Sequence, residues 1–434
     1  MSWITATPLR VVVLVWIAFV VRGLFYCVQE PMWEGYDEWA HFAYVQHLVE
    51  EGRLPARGDK ISKEIRASLS LLPLPYGLRD LNVRYITHED FWRLPREERI
   101  ARKQRLQAVP ADVSRETDES VALYEAQQPP LYYVLLALPY RVIRHFTLPS
   151  RVLVLRILSM LIGSLVIPLG YATACRVFGR QAALMVPILI AVMPAFLIDV
   201  CRIGNDCLAV IVVSALITVT LLLIRREAGW RMWLLSGLLL GAGLLTKAYT
   251  LAFIPFLVFV GTIRALRVGR VKQCMAGLSL AVSLAAATGG WWYWRTWRLT
   301  RTISGEQIDA SVARVSMPEK LAAARKVDWV VAADELAYFH IWGGAWSFSA
   351  LRSWMYRVFE LIAISAALGL GSLAKRMIMR TAHRRTIGLL GAELAVLTGA
   401  YVLFCAGLAY HVVVVFLAKG FSATCASGVT QNRP

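Results

Sequence analysis

Long apolar runs alternate with short basic stretches along this chain, and the apolar runs set its architecture. The first extends from Leu9 to Val28, and others lie near 153–174, 181–200, 207–224, 231–246, 249–263, 271–293 and 353–373, with a last one ending before residue 410. A helix rising about 1.5 Å per residue needs roughly 20 apolar residues to cross a hydrocarbon core about 30 Å thick. Stretches such as "AALMVPILIAVMPAFLI" carry no polar face, which a surface helix of a soluble domain would require. The pattern predicts an all-α polytopic transmembrane bundle of about nine to ten spans. Its long first extracytoplasmic loop is expected to carry interfacial helices.

Four basic clusters punctuate the runs: Arg176/Arg180, Arg225/Arg226/Arg231, Arg264/Arg267/Arg270/Lys272 and Lys375 through Arg385. The positive-inside rule places all four in the cytoplasm, with paired crossings between them. Parity then decides one segment. If "PPLYYVLLALPYRVI" crossed the bilayer, every later basic cluster would face outward, so 129–146 reads as an interfacial or re-entrant helix on the outer side. Pro129/Pro130 and Arg141/Arg144 bracket it, which suits a helix that does not cross. Two large outer loops follow, 28–152 and roughly 295–352. The first run is too long for a signal-peptide core and lacks a small-x-small cleavage site, so it reads as an uncleaved span.

Composition sharpens this picture. The 434 residues are 57% apolar, with a mean hydropathy of +0.53 and a net charge of +18. Such a charge invites a nucleic-acid reading, but the bases sit in short loops between spans rather than along one groove, so nucleic acid is excluded as a partner. Residues 28–130 hold 18 of the 29 acids and 14 of the 47 bases, a net of −4 that leaves +22 on the rest. That segment is a nearly balanced, water-facing domain. The seven cysteines form no C-x-x-C pair and read as small buried hydrophobes.

The chemistry collects at the outer face. Asp37 and Glu38 follow directly on the first span, with His41 one turn on, at the start of a stripe through Trp39, Phe42 and Ala43 that predicts an amphipathic helix lying on the outer leaflet. Taken alone, Asp37 would be a helix N-cap. Outside the two large loops only Asp199, Asp206, Glu227, Glu360 and Glu393 remain as acids. Asp199 and Asp206 sit with Arg202 and Asn205 in "IDVCRIGND", at the outer end of a span, where ionisable groups are costly and default to functional or paired roles. Lys247 closes another span on the same side, and Arg156 lies near the outer start of the second; either alone could snorkel toward headgroups. Together, two cations beside carboxylates suit a membrane-anchored phosphate, with a carboxylate available as general base.

The motifs "QQPPLYY", "RILSMLIG", "RIGNDCLA" and "GLLTKAYT", in this order after the acidic pair, resemble the glycosyltransferase-C superfamily, in particular its protein O-mannosyltransferase and aminoarabinose-transferase branch and the bacterial relatives of that branch. The similarity runs from about residue 8 to 300. It implies a membrane glycosyltransferase that takes a sugar from a polyprenyl-phosphate carrier outside the cytoplasm and passes it to a protein, lipid or glycan acceptor. By that resemblance Asp37 is the base with Glu38 beside it, Lys247 and Arg156 bind the donor phosphate, and Asn205 and Asp206 face the site; Arg202 and His41, from their places in the sequence, are read as supporting groups. Relatives often carry His-Pro-Pro or Lys-Pro where Gln127-Gln128-Pro129-Pro130 stand here.

The division expected is a glycosyltransferase module over 1–300, a second outer loop over 301–352 and C-terminal spans over 353–434, in a multi-pass protein of a bacterial inner membrane. No cofactor is expected. Relatives using lipid diphosphate donors employ a divalent metal, but a monophosphate-type donor needs none, and His41 and His47 are six apart, unlike an H-E-x-x-H zinc pair. A transporter or flippase of lipid-linked sugars and a non-catalytic derivative are the competing classes; the first is disfavoured because no internal repeat is visible and the charges gather at one leaflet rather than the midplane. "GGWWYWRTWRL" reads as an aromatic interface belt, while "SLLPLPYGLRD" and "REERIARKQR" receive no chemistry. The end of the chain, "YHVVVVFLAKGF" and then the small polar "SATCASGVTQNRP", has the pattern of a truncated or frameshifted C-terminus.

Overall fold

A computed structural model describes residues 2–35, 37–74, 85–305, 311–312, 314–342, 351–381 and 388–419. Among them, seven helices are long and apolar enough to cross a bilayer: Pro8–Gln29, Leu148–Phe178, Asp206–Leu223, Ala248–Val268, Val271–Thr300, Ser353–Leu373 and Leu389–Ala418. Ala182–Val192 and Pro194–Val200 together make an eighth, bent by 62°. The bend has a local cause: Pro194 brings no N–H to the helix and holds Met193 extended, at φ −67° and ψ 114°. With the shorter apolar helix Trp230–Leu244, the nine segments marked by hydropathy are accounted for. Leu131–Ile143 has 13 residues, or about 20 Å of helix, short of a hydrocarbon core.

Small residues set the closest packing between spans. Gly237 and Gly241, four apart on the Trp230–Leu244 helix, face the helix at 271–300. A Cβ at Gly237 would meet the Ala281 carbonyl oxygen at 2.6 Å, a backbone atom that cannot swing away. Gly237→Ala is therefore expected to push these helices apart and cost about 1–3 kcal/mol, read as a lower melting temperature in detergent. An unchanged melting temperature would show that the contact is looser than described.

The first outer loop is built on the helix Glu38–Glu50, which differs from its expected setting. It does not lie on the leaflet with a wet face. Every residue from Glu38 to His47 is buried, largely against Leu131–Ile143. Its polar side chains are tolerated there because they are paired: Gln46 donates to Glu64 at 2.7 Å and to the Tyr140 hydroxyl at 3.2 Å, and Ser62 donates to Gln46 at 2.6 Å. Arg151, fully buried at the start of the second span, ion-pairs with Glu64 and donates to the Tyr140 hydroxyl at 2.6 Å. The loop is thus bolted to the second span. A two-stranded antiparallel sheet, Lys60–Ser62 with Thr117–Ala122, closes it.

At the other end of the chain, Leu389–Lys419 is one continuous helix, so "YHVVVVFLAK" extends the last span rather than forming a separate fragment. Val412 and Val413 on it pack against Ala323, Val327 and Ala332 of the second outer loop. Residues 343–348 of "FHIWGGAWSF", 382–385 of the last basic cluster, and the terminal "SATCASGVTQNRP" lie outside the described residues.

Candidate active site

Asp37 sits in a tight turn between the first span and the helix Glu38–Glu50, and its backbone is left-handed (φ 50°, ψ 22°). Trp33, four residues earlier, is left-handed too (φ 70°). Aspartate tolerates this region better than most residues, yet the geometry still costs on the order of 1 kcal/mol and is held only by surrounding contacts. The Asp37 side chain makes no capping hydrogen bond; its carbonyl serves the turn by accepting from Ala40 and His41 N–H at 2.8 and 2.9 Å. No ion pair or hydrogen bond among the described residues engages its carboxylate. Burial lifts the Asp37 pKa above the usual carboxylate range, while Arg202 and Lys247 pull it back down.

Glu38 has a different fate. Fully buried, it accepts from Arg156 Nε at 2.7 Å and Nη2 at 2.5 Å, and from the backbone N–H groups of Trp33 and Ile203, each at 3.1 Å. Arg156 spends its remaining donors on the carbonyls of Cys27, Glu30 and Pro31, at 3.3, 2.7 and 2.8 Å. All five of its N–H bonds are engaged, so none is left for a phosphate. The sequence reading of Glu38 and Arg156 as members of the reacting group is therefore revised: they clamp each other, joining the end of the first span, the helix at Asp37 and the loop at Ile203.

Arg202 is held differently, by two carboxylates. Its Nε and Nη2 donate to Asp199 at 3.0 and 2.5 Å, and Nη2 also to Asp206 at 3.1 Å. Lys247 ion-pairs with Asp206 from the other side. Two carboxylates thus aim two cations, one from the loop after the bent span and one from the connection at 245–247. Glycines admit them: a Cβ at Gly35 would meet Arg202 Cδ at 2.7 Å, and one at Gly204 would meet its Nη1 at 2.8 Å.

Supporting groups close the site. His41 is buried; burial and then the nearby Arg202 and Lys247 hold its pKa well below 6.5, so its ring is neutral. Its Nδ1 lies 2.7 Å from the Tyr133 hydroxyl. Asn205, fully buried, donates to Gln128 Oε1 at 3.0 Å and to the Thr246 carbonyl at 2.9 Å, which ties "QQPP", "RIGND" and "LLTK" together. Tyr132 accepts from Gly204 N–H at 2.9 Å. Among the described residues, no three His, Cys, Asp or Glu side chains group as metal ligands.

Beside Arg202 and Asp199 opens a cavity of about 440 Å³ whose other walls include Phe196, Ile198, Val210 and Phe404. Ile198 and Trp342 are shared with a further groove of about 570 Å³, lined by Tyr26 of the first span and Val358 of a late one. The two cavities therefore adjoin at Ile198 and Trp342.

Residues 127–294 match the family model described as dolichyl-phosphate-mannose-protein mannosyltransferase. That match spans 168 of the chain's 434 residues, and over it the chain is similar to this family of membrane mannosyltransferases. The matched region contains Gln128, Arg202, Asn205, Asp206 and Lys247, and leaves Asp37 outside. The chain is also similar to two solved structures. One is ArnT from Cupriavidus metallidurans bound to undecaprenyl phosphate, at 14% identity and a TM-score of 0.42, covering 93% of this chain and 77% of that one. The other is the Archaeoglobus fulgidus oligosaccharyltransferase in complex with zinc and sulfate, at 13% identity and a TM-score of 0.43, covering 92% and 47%. No curated protein matches the chain.

Sequence reasoning placed Arg202 among the supporting groups and gave no place to Tyr133 or to Tyr249, whose ring lies 5.9 Å from Lys247 Nζ. The signal for Arg202 was present: an arginine flanked three and four residues away by Asp199 and Asp206 is held on both sides, as a positioned cation must be.

Proposed function

We propose that this chain is a glycosyltransferase that moves a sugar from a polyprenyl-phosphate carrier to an acceptor hydroxyl at the extracytoplasmic face, with Asp37 as base and Lys247 and Arg202 on the donor phosphate. The observation that carries the reading is that Arg202 and Lys247, both ion-paired with Asp206, act on an Asp37 carboxylate that nothing else among the described residues engages, and that Arg202 also lines a largely apolar cavity. The isoprenoid tail would follow the groove past Ile198 toward the gap between the first span and Ser353–Leu373.

The reaction balances simply. The acceptor oxygen bonds to the anomeric carbon as the bond from that carbon to the phosphate oxygen breaks. The acceptor proton passes to Asp37, and the carrier leaves as polyprenyl phosphate. Charge on the phosphate grows by one in this step, so fixed cations stabilise the transition state more than the bound donor. This chemistry uses no metal. The location proposed is a bacterial inner membrane, with sugar and acceptor class left open.

The test is binding and transfer by the purified chain with a polyprenyl-phosphate-linked hexose. Lys247→Gln is expected to weaken binding of polyprenyl phosphate between about tenfold and a hundredfold, the worth of a hydrogen bond to a charged group. Unchanged affinity in that variant would remove Lys247 from the donor site. Movement of the donor across liposomes without any transfer would replace the reading with a flippase.

A further inference from the structure

A second cavity, of about 620 Å³, lies under the first outer loop and contains none of Asp37, Arg202 or Lys247. Its floor is the outer end of the first span, Cys27 and Val28, and the start of the second, Val152 and Leu153. Its roof is the helix Arg96–Gln107, the "REERIARKQR" segment to which the sequence assigned no chemistry. Arg156 and Glu30 border both this cavity and the one that holds Arg202, and so stand between them.

The lining is amphiphilic in an ordered way. Arg96, Arg99 and Lys103 are spaced i, i+3 and i+7, which puts them on one helix face, and all three line the cavity. Arg102 is consumed as a strut, donating to Glu98 and to the Ser70 carbonyl. Arg99 is not: its guanidinium stands 5.0 Å over the Trp92 ring, and its Nε is buried with no hydrogen-bond partner among the described residues. Trp92 and Ile100 beside it are 62% and 46% exposed, large apolar groups on a strongly charged stretch, as at a headgroup boundary. The one acid in the lining, Glu30, has its pKa pushed up to about 7 by burial and by the neighbouring Glu34, so it opposes an incoming anion only weakly near neutral pH.

We infer that this cavity binds one anionic phospholipid of the outer leaflet, its headgroup against Arg96, Arg99 and Lys103 and an acyl chain along Val28, Val152 and Leu153. A soluble anion would use the cations but has no need of the apolar floor; a zwitterionic lipid would use the floor but not three uncompensated cations. Both halves of the lining and their level, at the ends of two spans, fit a lipid. Such a lipid would hold the outer loop on the bilayer surface beside the Glu38–Arg156 clamp.

The test uses the full chain in detergent, offered equal amounts of phosphatidylglycerol and phosphatidylcholine with the same acyl chains, with bound lipid counted by native mass spectrometry. The chain is expected to retain phosphatidylglycerol preferentially. The triple variant R96Q/R99Q/K103Q should lose at least tenfold of that preference, since each cation near a headgroup contributes roughly fivefold. Neutralising Arg231 and Arg270, exposed cations elsewhere, should leave it intact. Leu153→Trp, which fills the floor and keeps the cations, should lower retention of both lipids. No preference in the unaltered chain, a preference that survives the triple variant, or displacement of phosphatidylglycerol by 10 mM (about physiological scale) inorganic phosphate would each overturn the inference. None of these readouts involves sugar transfer, so their failure leaves the proposed reaction untouched.

Discussion

Asp37→Asn is expected to lower sugar transfer by about 10²- to 10⁴-fold, the usual worth of a positioned general base, while donor binding changes little. Asparagine fits the same left-handed turn, so the loop should keep its shape. The side chain makes no capping bond to lose. Stability should hold or rise. Burial raises the Asp37 pKa above its unfolded value, so ionisation at neutral pH opposes folding, a cost absent below the unfolded pKa, growing between the two values and full above the raised one. Removing the charge removes that cost. The pH profile gives an independent check: transfer by the unaltered chain should fall as pH drops through a pKa above the ordinary aspartate value of about 3.9, because the base becomes protonated. That acid limb should vanish from any residual activity of the variant. Full transfer by Asp37→Asn would end the assignment of the base.

Glu38→Ala should unfold what Asp37→Asn leaves standing. Removing one partner of a buried ion pair strands the other, and the loss is about 3–5 kcal/mol. Here Arg156 would remain buried with two donors released, and the backbone N–H groups of Trp33 and Ile203 would lose their acceptor. A steep fall in melting temperature is the expected result, with Glu38→Gln intermediate. The double variant Glu38→Ala/Arg156→Ala should be less unstable than the two single losses added together, because the stranded charge is gone. A melting temperature unchanged by Glu38→Ala would show that Glu38 is not the clamp. The variants of these adjacent carboxylates are thus expected to separate: Asp37→Asn should lose transfer and keep the fold, and Glu38→Ala should lose the fold.

The sequence could not distinguish these duties. Asp37 and Glu38 are equally acidic and equally close to the first span, and both precede a helix. What divides them is direction. The left-handed turn at Asp37 leaves its carboxylate unengaged, whereas the first turn of the following helix points Glu38 inward at Arg156. The same holds for the two arginines. Arg156 and Arg202 both lie at outer ends of spans, and only their partners reveal that one is spent on carbonyls and a carboxylate while the other is aimed by two aspartates. The buried setting of Glu38–Glu50 was also hidden. Its hydrogen-bond partners Glu64, Tyr133 and Tyr140 come from segments far along the chain.

Sequence alone determined the bilayer and the apolar segments long enough to cross it. Those follow from transfer free energies, which are properties of composition within a window of about 20 residues. Tertiary structure decided which charges are free to meet a substrate. In a buried setting an ionisable group is defined by the partners that satisfy it, and those partners are brought by packing from segments as far apart as Glu38 and Arg156.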